Sequence, residues 1–306
     1  VWISITPEGL VSRSHDEKPP RPSGSAAPRW SLPASTRDIL YLAASNGETA
    51  AVFVHTLPEA ETPESGAPLH KACSLPEGSQ VAALFTLPPK DERAENVYIL
   101  TLTRQGLVKK TAATDLGGPA AKPYTLVKVN DDDALVGVRL TDGKREILLT
   151  TADGMAIRFS EDEVRPMGRS AGGVTAIRLS KNDHVTSMEV IEPGGDLLVI
   201  TTSGYGKRTP LSEYPVKGRA TGGVVTIDQK AFARIGPITA GRVVQEADDL
   251  TIMSANGVVL RTQIKDIPRT GRGARGTKLI DLAASDSVAS IARVADADLR
   301  QAGAKG

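Results

Sequence analysis

The chain has 306 residues, and its 37 basic and 36 acidic side chains leave a formal net charge of +1. This balance excludes a uniformly basic surface, although it permits a basic patch on one side. Aromatic residues make up only 4%, too few for the row of base-stacking platforms that single-strand binders use. The single cysteine, Cys73, excludes an internal disulfide framework or a cysteine-based zinc site and fits a reducing, cytoplasmic compartment.

Targeting and catalytic signals are missing from the sequence. No apolar run approaches the roughly 20 residues of a transmembrane helix, so we expect a soluble chain with no membrane partner. It begins at Val1 with no signal-peptide pattern, and the start without Met favours a piece of a longer protein. The four histidines are scattered, residues 131–133 lack the spacing of a calcium loop, and no phosphate-loop or nucleophile motif is present, so we expect neither a metal site nor catalysis.

A short apolar strand, a turn that ends in glycine and a second strand recur six times, at a period of about 50 residues. Asn46-Gly47, Asp153-Gly154 and Asn256-Gly257 are strong signals for tight hairpins, because both residues of each pair tolerate a positive φ. The flanking segments, such as DLLVITT and REILLTTA, have the composition of half-buried strands. The six turn glycines are Gly9, Gly47, Gly106, Gly154, Gly204 and Gly257.

Between the hairpins lie further short apolar segments, such as GGVTAIRL with HVTSMEVI and GGVVTIDQ with GRVVQEA, which we interpret as a second strand pair. About four strands per repeat and no long helical period predict an all-β fold of six four-stranded blades. Because one blade cannot bury both of its faces, we expect a closed propeller-like ring that takes in residues 1–306 as one domain. The last segment, 279–295, is expected to complete the first blade.

Basic residues recur at a fixed distance from the turns. The residue four positions after the turn glycine is basic in five of the six repeats and is Ala51 in the second. Such a cation taken alone is usually solvated or paired across the strand, but equivalent positions of a repeat protein lie at equivalent places, so the pattern predicts a belt of charge. The hairpin cations are Arg13, Lys110, Arg158, Arg208 and Arg261, with Lys109 and Lys207 directly before two of them.

A second basic element follows in three repeats, where the chain reads MGRSAGGVTAIR, KGRATGGVVTI and TGRGARGTKL. Such loops alone are ordinary turn chemistry. Their small residues keep the loop low and would leave N–H groups facing outward, which suits phosphate oxygens beside an arginine fork. The two basic elements at one period favour a binding surface. The cations of this second element are Arg165, Arg169, Arg178, Lys217, Arg219, Arg269, Arg272, Arg275 and Lys278.

These residues resemble the β-pinwheel, the C-terminal domain of the DNA gyrase A subunit and of its topoisomerase IV counterpart. The resemblance rests on the hairpins GLVSRS, GLVKKT, GYGKRTPLSEY and GVVLRT and on the loops RPMGRSAGGVTAIRL, VKGRATGGVVTI and RTGRGARGTKLI. It extends along the whole chain, is strongest from about 140 to 285 and is weak in 15–75. It implies a six-bladed β-pinwheel whose outer rim binds double-stranded DNA through the hairpin and loop cations.

The resemblance also implies a place in a larger enzyme. The domain would be non-catalytic and tethered to an N-terminal cleavage core that carries the active-site tyrosine, and it would bend or wrap DNA and present a segment to that core. It would need no cofactor of its own, since ATP and Mg²⁺ act elsewhere in the parent topoisomerase, ATP on the separate ATPase B subunit. A cytoplasmic, nucleoid-associated bacterial-type protein is implied, with largely sequence-independent binding.

Two features depart from this pattern. Gyrase subunits carry a basic heptapeptide of the QRRGGKG type after the first hairpin, whereas here Arg21, Gly24 and Arg29 are its nearest remnants among prolines. In addition, residues 38–64 contain five acidic residues and no Lys or Arg. This acidic stretch would be where DNA leaves the ring or where the ring faces its own core. A topoisomerase IV-type domain without a supercoiling wrap, a propeller-like protein-interaction scaffold and a propeller enzyme with a central pocket remain as alternatives.

Overall fold

The computed structural model describes residues 1–17 and 28–295. These divide into two compact units, one of residues 1–143 with 164–174 and one of residues 144–163 with 175 onwards. Regular structure in the described residues is almost entirely β. No helix among them is long and apolar enough to cross a bilayer, and no group of three metal-ligating side chains occurs there.

The described residues of the first half form eleven strands and one short helix: β1 (Trp2–Ile5), β2 (Leu10–Arg13), β3 (Trp30–Pro33), β4 (Ile39–Ala44), β5 (Glu48–Phe53), β6 (Ala67–Pro68), α1 (Leu69–Ala72), β7 (Val81–Leu87), β8 (Tyr98–Thr103), β9 (Leu107–Ala112), β10 (Tyr124–Thr125) and β11 (Leu135–Thr141). The 3-10 turns among these residues are Val54–Thr56, Pro63–Ser65, Lys90–Glu92 and Ala113–Asp115.

The second half contains β12 (Glu146–Thr151), β13 (Met155–Ser160), β14 (Val174–Thr175), β15 (Val185–Val190), β16 (Asp196–Thr201), β17 (Tyr205–Pro210), β18 (Val224–Val225), α2 (Phe232–Ile235), β19 (Ile238–Val244), β20 (Asp249–Ser254), β21 (Val259–Gln263), β22 (Thr277–Lys278) and β23 (Val288–Val294). Its 3-10 turns are Glu161–Glu163, Leu211–Glu213, Gln229–Ala231 and Ile264–Asp266.

Six sheets follow the six sequence repeats, each built on one glycine-turn hairpin. Five have four strands, in the orders β3-β1-β2-β6, β10-β5-β4-β7, β11-β8-β9-β14, β15-β12-β13-β18 and β19-β16-β17-β22. The sixth has three strands within the described residues, in the order β21-β20-β23. The central strands, such as β4 and β16, are buried along their whole length.

The predicted second strand pair of each repeat is wrong, because its two strands belong to different sheets. The two-residue strand β18 pairs with β13 of the preceding hairpin, whereas β19, which follows it, pairs with β16 of its own. The glycine before the short strand explains this docking: a Cβ on Gly223 would lie 2.3 Å from the carbonyl oxygen of Ala156. Only a residue without a side chain lets the loop approach the preceding hairpin so closely.

The predicted place of the last strand is also wrong. Strand β23 pairs with β20 in its own sheet, Val294 opposite Asp249, and so does not complete the first sheet. The fourth strand of the first sheet is β3, which pairs with β1. Both β3 and β23 are the strand that returns beside its own hairpin, so they occupy the same place in two repeats. The single-domain organisation of residues 1–306 stays a prediction.

All six turn glycines adopt the left-handed backbone region, with φ between 81° and 84°. The residue before each glycine does not share it, since the non-glycine residues with positive φ in the described chain are Asn182 and Ala220. The expectation of two positive φ angles per turn is therefore wrong. Each glycine N–H instead bonds to the carbonyl three residues earlier, as in Gly47 to Ala44 at 2.9 Å, so a four-residue turn reverses the chain and the glycine at its last position supplies the positive φ.

The core lies between successive sheets within each unit. In the first unit, Tyr41 of β4 packs with Ile99 of β8 and Leu135 of β11. In the second, Leu198 of β16 packs with Ile252 of β20. Within each unit, successive sheets therefore bury a face against one another, as stacked repeats must.

Candidate nucleic-acid interface

Three loops of the same length occupy the same position beside three successive hairpins. We call residues 166–173, 216–223 and 269–276 the arginine loops. Each begins at a bridge to the hairpin cation, Lys110 to Pro166 in the first loop, and ends at the glycine before the short strand. The bridges of the other two loops join Arg158 to Val216 and Arg208 to Arg269. The Gly-Arg pair therefore falls at one register in all three.

In two of these loops the arginine reaches back across the short strand of the preceding repeat. Arg219 donates to the carbonyl oxygen of Thr175 at 2.8 Å, and Arg272 donates to that of Val225 at 3.1 Å. Both side chains are half-buried by this contact. Each guanidinium is thus held by the protein, which fixes the direction of the group before any ligand arrives.

The backbone N–H groups of these two arginines do not face outward as expected. Arg219 N–H donates to the carboxylate of Glu163 at 3.0 Å, and Arg272 N–H donates to that of Glu213 at 3.0 Å. Each acid ends the 3-10 turn that follows its hairpin. The prediction of outward N–H donors is therefore wrong for these residues, because a carboxylate of the protein already accepts from each of them.

The remaining loop and strand cations differ in how much of their charge stays unpaired. Arg169 lies over the ring of Tyr124, 5.0 Å from its centroid, and is exposed. Arg269 pairs with Asp196 at 3.1 Å, and Lys278 pairs with Asp281 at 2.9 Å. The further exposed cations of the predicted set are Arg165, Arg178, Lys217 and Arg275.

Two hairpin arginines point into the protein. Arg158 donates to the carbonyl oxygen of Leu211 at 2.8 Å, and Arg208 donates to that of Ile267 at 2.8 Å. These carbonyls belong to the 3-10 turn of the following repeat or to the residue after it. A guanidinium can satisfy several such carbonyls at once, so these positions join successive repeats. Arg208 is buried, with only 8% of its side chain exposed.

The second repeat, in which Ala51 replaces the cation, obtains the same contact from elsewhere. Arg93, between β7 and β8, donates to the carbonyls of Ala113 at 2.8 Å and Leu116 at 2.9 Å, and to the hydroxyl of Tyr41 at 2.5 Å. The sequence pattern misses this residue because it follows no turn glycine. Its presence indicates that a cation at this place links neighbouring repeats, whether or not the cation also contacts a ligand.

The other hairpin cations are also engaged. Lys110 is buried with its Nζ 5.4 Å from the ring centroid of Tyr98. Arg13 pairs with Glu59 at 2.5 Å, and Arg261 forms two hydrogen bonds to one oxygen of Asp249 at 3.0 and 2.6 Å. The predicted belt is therefore neutralised or buried at most hairpin positions, and the arginine loops carry the accessible charge.

Lys109 and Lys207 are fully buried beneath two of the arginine loops. Each ammonium donates to two backbone carbonyls, at 2.6 Å and 2.6 Å for Lys109 and at 2.6 Å and 2.8 Å for Lys207. Burial lowers the pKa of both lysines to about 8, since it penalises the charged form. A duplex could not reach either group.

Lys128, an exposed cation beside an arginine loop, is absent from the predicted set. Lys128 lies four residues after the start of β10, the position that Arg178 occupies after β14, and its N–H donates to Ala171 in an arginine loop at 3.1 Å. A comparison of YTLVK with VTAIR would have found it. Of the heptapeptide remnants, Arg29 is exposed, whereas Arg21 and Gly24 lie outside the described residues.

Fold and surface together define a class: an all-β protein of six repeated sheets with arginine loops at equivalent positions. Residues 98–142, 145–192, 195–231 and 248–295, more than half of the chain, match the family described as DNA gyrase C-terminal domain, beta-propeller. The chain belongs to this family. The predicted all-β, six-bladed fold of the β-pinwheel type is thereby confirmed, apart from the strand exchange described above.

Relatives and solved structures agree. The chain is 37% identical over 265 residues to the DNA gyrase A subunit of Salmonella typhimurium, covering 87% of this chain and 30% of that protein. It is 46% identical over 240 residues to the DNA gyrase A subunit of Halalkalibacterium halodurans, covering 78% of this chain and 28% of that protein. It therefore spans about 30% of the length of these curated relatives.

Among solved structures, the crystal structure of the C-terminal domain of DNA topoisomerase IV superposes with a TM-score of 0.86 at 25% identity, covering 100% of this chain and 96% of that one. The DNA gyrase A C-terminal domain superposes with a TM-score of 0.79 at 19% identity, covering 95% and 98%. At that identity the second likeness concerns the fold alone.

Proposed function

We propose that this chain is the non-catalytic DNA-binding and DNA-bending domain of a type IIA DNA topoisomerase of the gyrase A kind. It holds double-stranded DNA on its surface and presents a segment to the cleavage core of the same polypeptide. The separate ATPase B subunit would supply the ATP-dependent step, so the domain itself uses neither ATP nor Mg²⁺. Membership of the gyrase family supports this assignment.

One observation carries the proposal. Arg169, Arg219 and Arg272 occupy one register of three successive loops, each is held by a ring or a carbonyl, and Arg169 is exposed while the other two are partly exposed. Duplex DNA presents phosphates at regular intervals, and a set of pre-oriented guanidinium groups matches such a ligand. The described residues offer no recognition helix, so binding through the backbone, with little sequence preference, is the expectation.

Spreading the cations over several loops suits bending. Bending 20–30 base pairs by 40–90° costs on the order of 1–6 kcal/mol, and one strong site would leave the flanking DNA straight. Each phosphate neutralised by a cation adds about −0.9 to the slope of log affinity against log salt. Exposed cations in and beside these loops include Lys128, Arg165, Arg169, Arg178, Lys217 and Arg275.

A topology assay tests the proposal. The chain is bound to relaxed circular DNA, the DNA is relaxed again with a type I topoisomerase, and the linking number is read after protein removal. A shift that grows with protein stoichiometry is the expected outcome, and its sign gives the handedness of the wrap. Absence of any binding to duplex DNA would contradict the proposal and favour a protein-interaction scaffold.

A second candidate is a topoisomerase IV-type domain that binds DNA without a supercoiling wrap. The observation in its favour is the first repeat, where Glu59 pairs with Arg13 and the loop that corresponds to an arginine loop is acidic. A wrap that ends before this repeat would be short. Salt-sensitive binding with an unchanged linking number would identify this second function.

A further inference from the structure

Two of the three arginine loops rest on a buried ammonium group. Lys109 lies on β9 and donates to the carbonyl of Arg169, and Lys207 lies on β17 and donates to the carbonyls of Gly271 and Arg272. Both lysines are completely buried, and these hydrogen bonds all go to backbone carbonyls. A buried ammonium is costly to desolvate, so its retention at the Gly-Arg pair of two loops needs a reason.

The middle arginine loop shows that the lysine is not needed for the loop to form. The residue at this place is Ile157. Here Nε of Arg219 donates to the carbonyl of Glu163, and the Arg219 N–H donates to the Glu163 carboxylate as the Arg272 N–H does to that of Glu213 in the third loop. The two kinds of loop keep the same length and the same bridge to the hairpin. The loop therefore forms without the lysine, and what the lysine adds is a set of hydrogen bonds to main-chain carbonyls at the Gly-Arg pair.

We propose that Lys109 and Lys207 are positioning residues that hold the main chain of the first and third arginine loops, so that Arg169 and Arg272 are presented to duplex DNA. They take no part in phosphate contact themselves. The inference rests on the proposed function for its ligand, but its first half, the holding of the loop, concerns the DNA-free protein alone.

The buried lysines hold their loops without stabilising the folded chain at neutral pH. Because the pKa of each lysine falls from 10.5 to about 8 on folding, the unfolded chain binds more protons between these values, and stability rises as the pH goes from 8 to 10.5. Charged lysine is thus a cost to the fold at pH 7. The charged groups that face these lysines are Arg169 beside Lys109, and Glu213 and Arg272 beside Lys207.

The first test uses the DNA-free chain. Lys207→Met is compared with wild type by NMR and amide exchange at residues 271–273. We expect faster exchange and altered amide shifts there at pH 7, with an unchanged or higher melting temperature. In wild type the same amides should change as the pH rises through about 8, and in the variant this step should be absent. Unaltered loop amides in the variant would overturn the proposal.

The second test is a double-mutant cycle on duplex DNA affinity with Lys207→Met and Arg272→Ala. We expect Lys207→Met alone to weaken binding by about tenfold and to add nothing once Arg272 is removed. Lys217→Met, an exposed lysine of the middle loop, is the matched control and should add to Arg272→Ala in full. Additive effects for Lys207 would overturn the proposal. If wild type binds no duplex at all, the proposed function fails, and the NMR test still decides the role of the lysine.

Discussion

Two loops of the first unit have the same frame and opposite charge. Residues 59–66 and 166–173 both begin at a bridge to a hairpin cation and end seven residues later at a glycine. A Cβ on Gly66 would lie 2.5 Å from the carbonyl of Val11, and one on Gly173 would lie 2.5 Å from that of Val108. The frame is therefore set by the hairpin bridge and the final glycine, and the residues between them are free to vary.

The variable residues decide what each loop can bind. Loop 166–173 carries Arg169 at the surface, whereas loop 59–66 carries Glu59, Glu61 and Glu64. Glu59 pairs with Arg13 and so neutralises the cation of its own hairpin. A repeat fold can thus switch one element from attracting phosphate to repelling it, without changing the strands that hold it.

The largest expected effect comes from the basic side of this comparison. Replacing Arg169, Arg219 and Arg272 together by alanine should weaken duplex binding roughly a hundredfold at low salt. It should also reduce the salt slope by about 3, since each arginine neutralises one phosphate. Binding titrations over a salt series measure both quantities.

The matched control removes the same charge elsewhere. Arg37, Arg104 and Arg234 are exposed and lie outside the arginine loops, so their joint replacement by alanine should leave most of the affinity. Circular dichroism checks that both triple variants are folded. An equal loss in the two variants would show that net charge, and not loop position, governs binding.

The next effect concerns the final glycine, which fixes where the loop meets its hairpin. Gly173 has a φ of 95° and no room for a Cβ, so Gly173→Ala should lower the free energy of unfolding by about 2–3 kcal/mol. Gly168 in the same loop has nothing within 4 Å of its Cβ position and should tolerate alanine. Denaturant unfolding compares the two, and similar stabilities would contradict the role given to the final glycine.

The acidic side of the comparison is tested by charge reversal. Replacing Glu59, Glu61 and Glu64 by lysine should lengthen the DNA footprint and raise the salt slope, because the loop would then present cations in the same frame. Footprinting of the bound duplex measures the length. An unchanged footprint would mean that this loop lies away from the DNA path, whatever its charge.

Much of the fold was accessible from the sequence, since the turn glycines and short apolar strands recur with a period that a repeat fold requires. The sequence did not reveal which sheet each short strand joins. Strand β18 has only two residues, and nothing in GGVV tells whether it pairs forward or back. That choice depends on the close approach of Gly223 to the preceding hairpin, which is a contact between distant residues.

The site was predicted less completely, because a basic residue on a strand does not reveal its environment. Lys109 and Lys110 are neighbours on β9, so their side chains leave opposite faces, and both faces are buried. Arg93 replaces a missing hairpin cation from another part of the chain, and no periodicity reports such a replacement. The loop arginines were found because small residues on both sides mark a surface loop.

The smallest expected effect tests where Glu59 lies. His15 also hydrogen-bonds to Glu59, and this bond raises the pKa of His15 above its ordinary 6.5 while it lowers that of Glu59. Since the folded pKa of His15 is raised, its stabilising contact is present at pH values below 6.5 and is lost as the pH rises through the raised value. In Glu59→Gln, an NMR titration should therefore give a lower pKa for His15 than in wild type, and His55 serves as the internal reference. An unchanged His15 titration would show that the acidic loop does not approach the first hairpin, and the comparison of the two loops would then lose its acidic member.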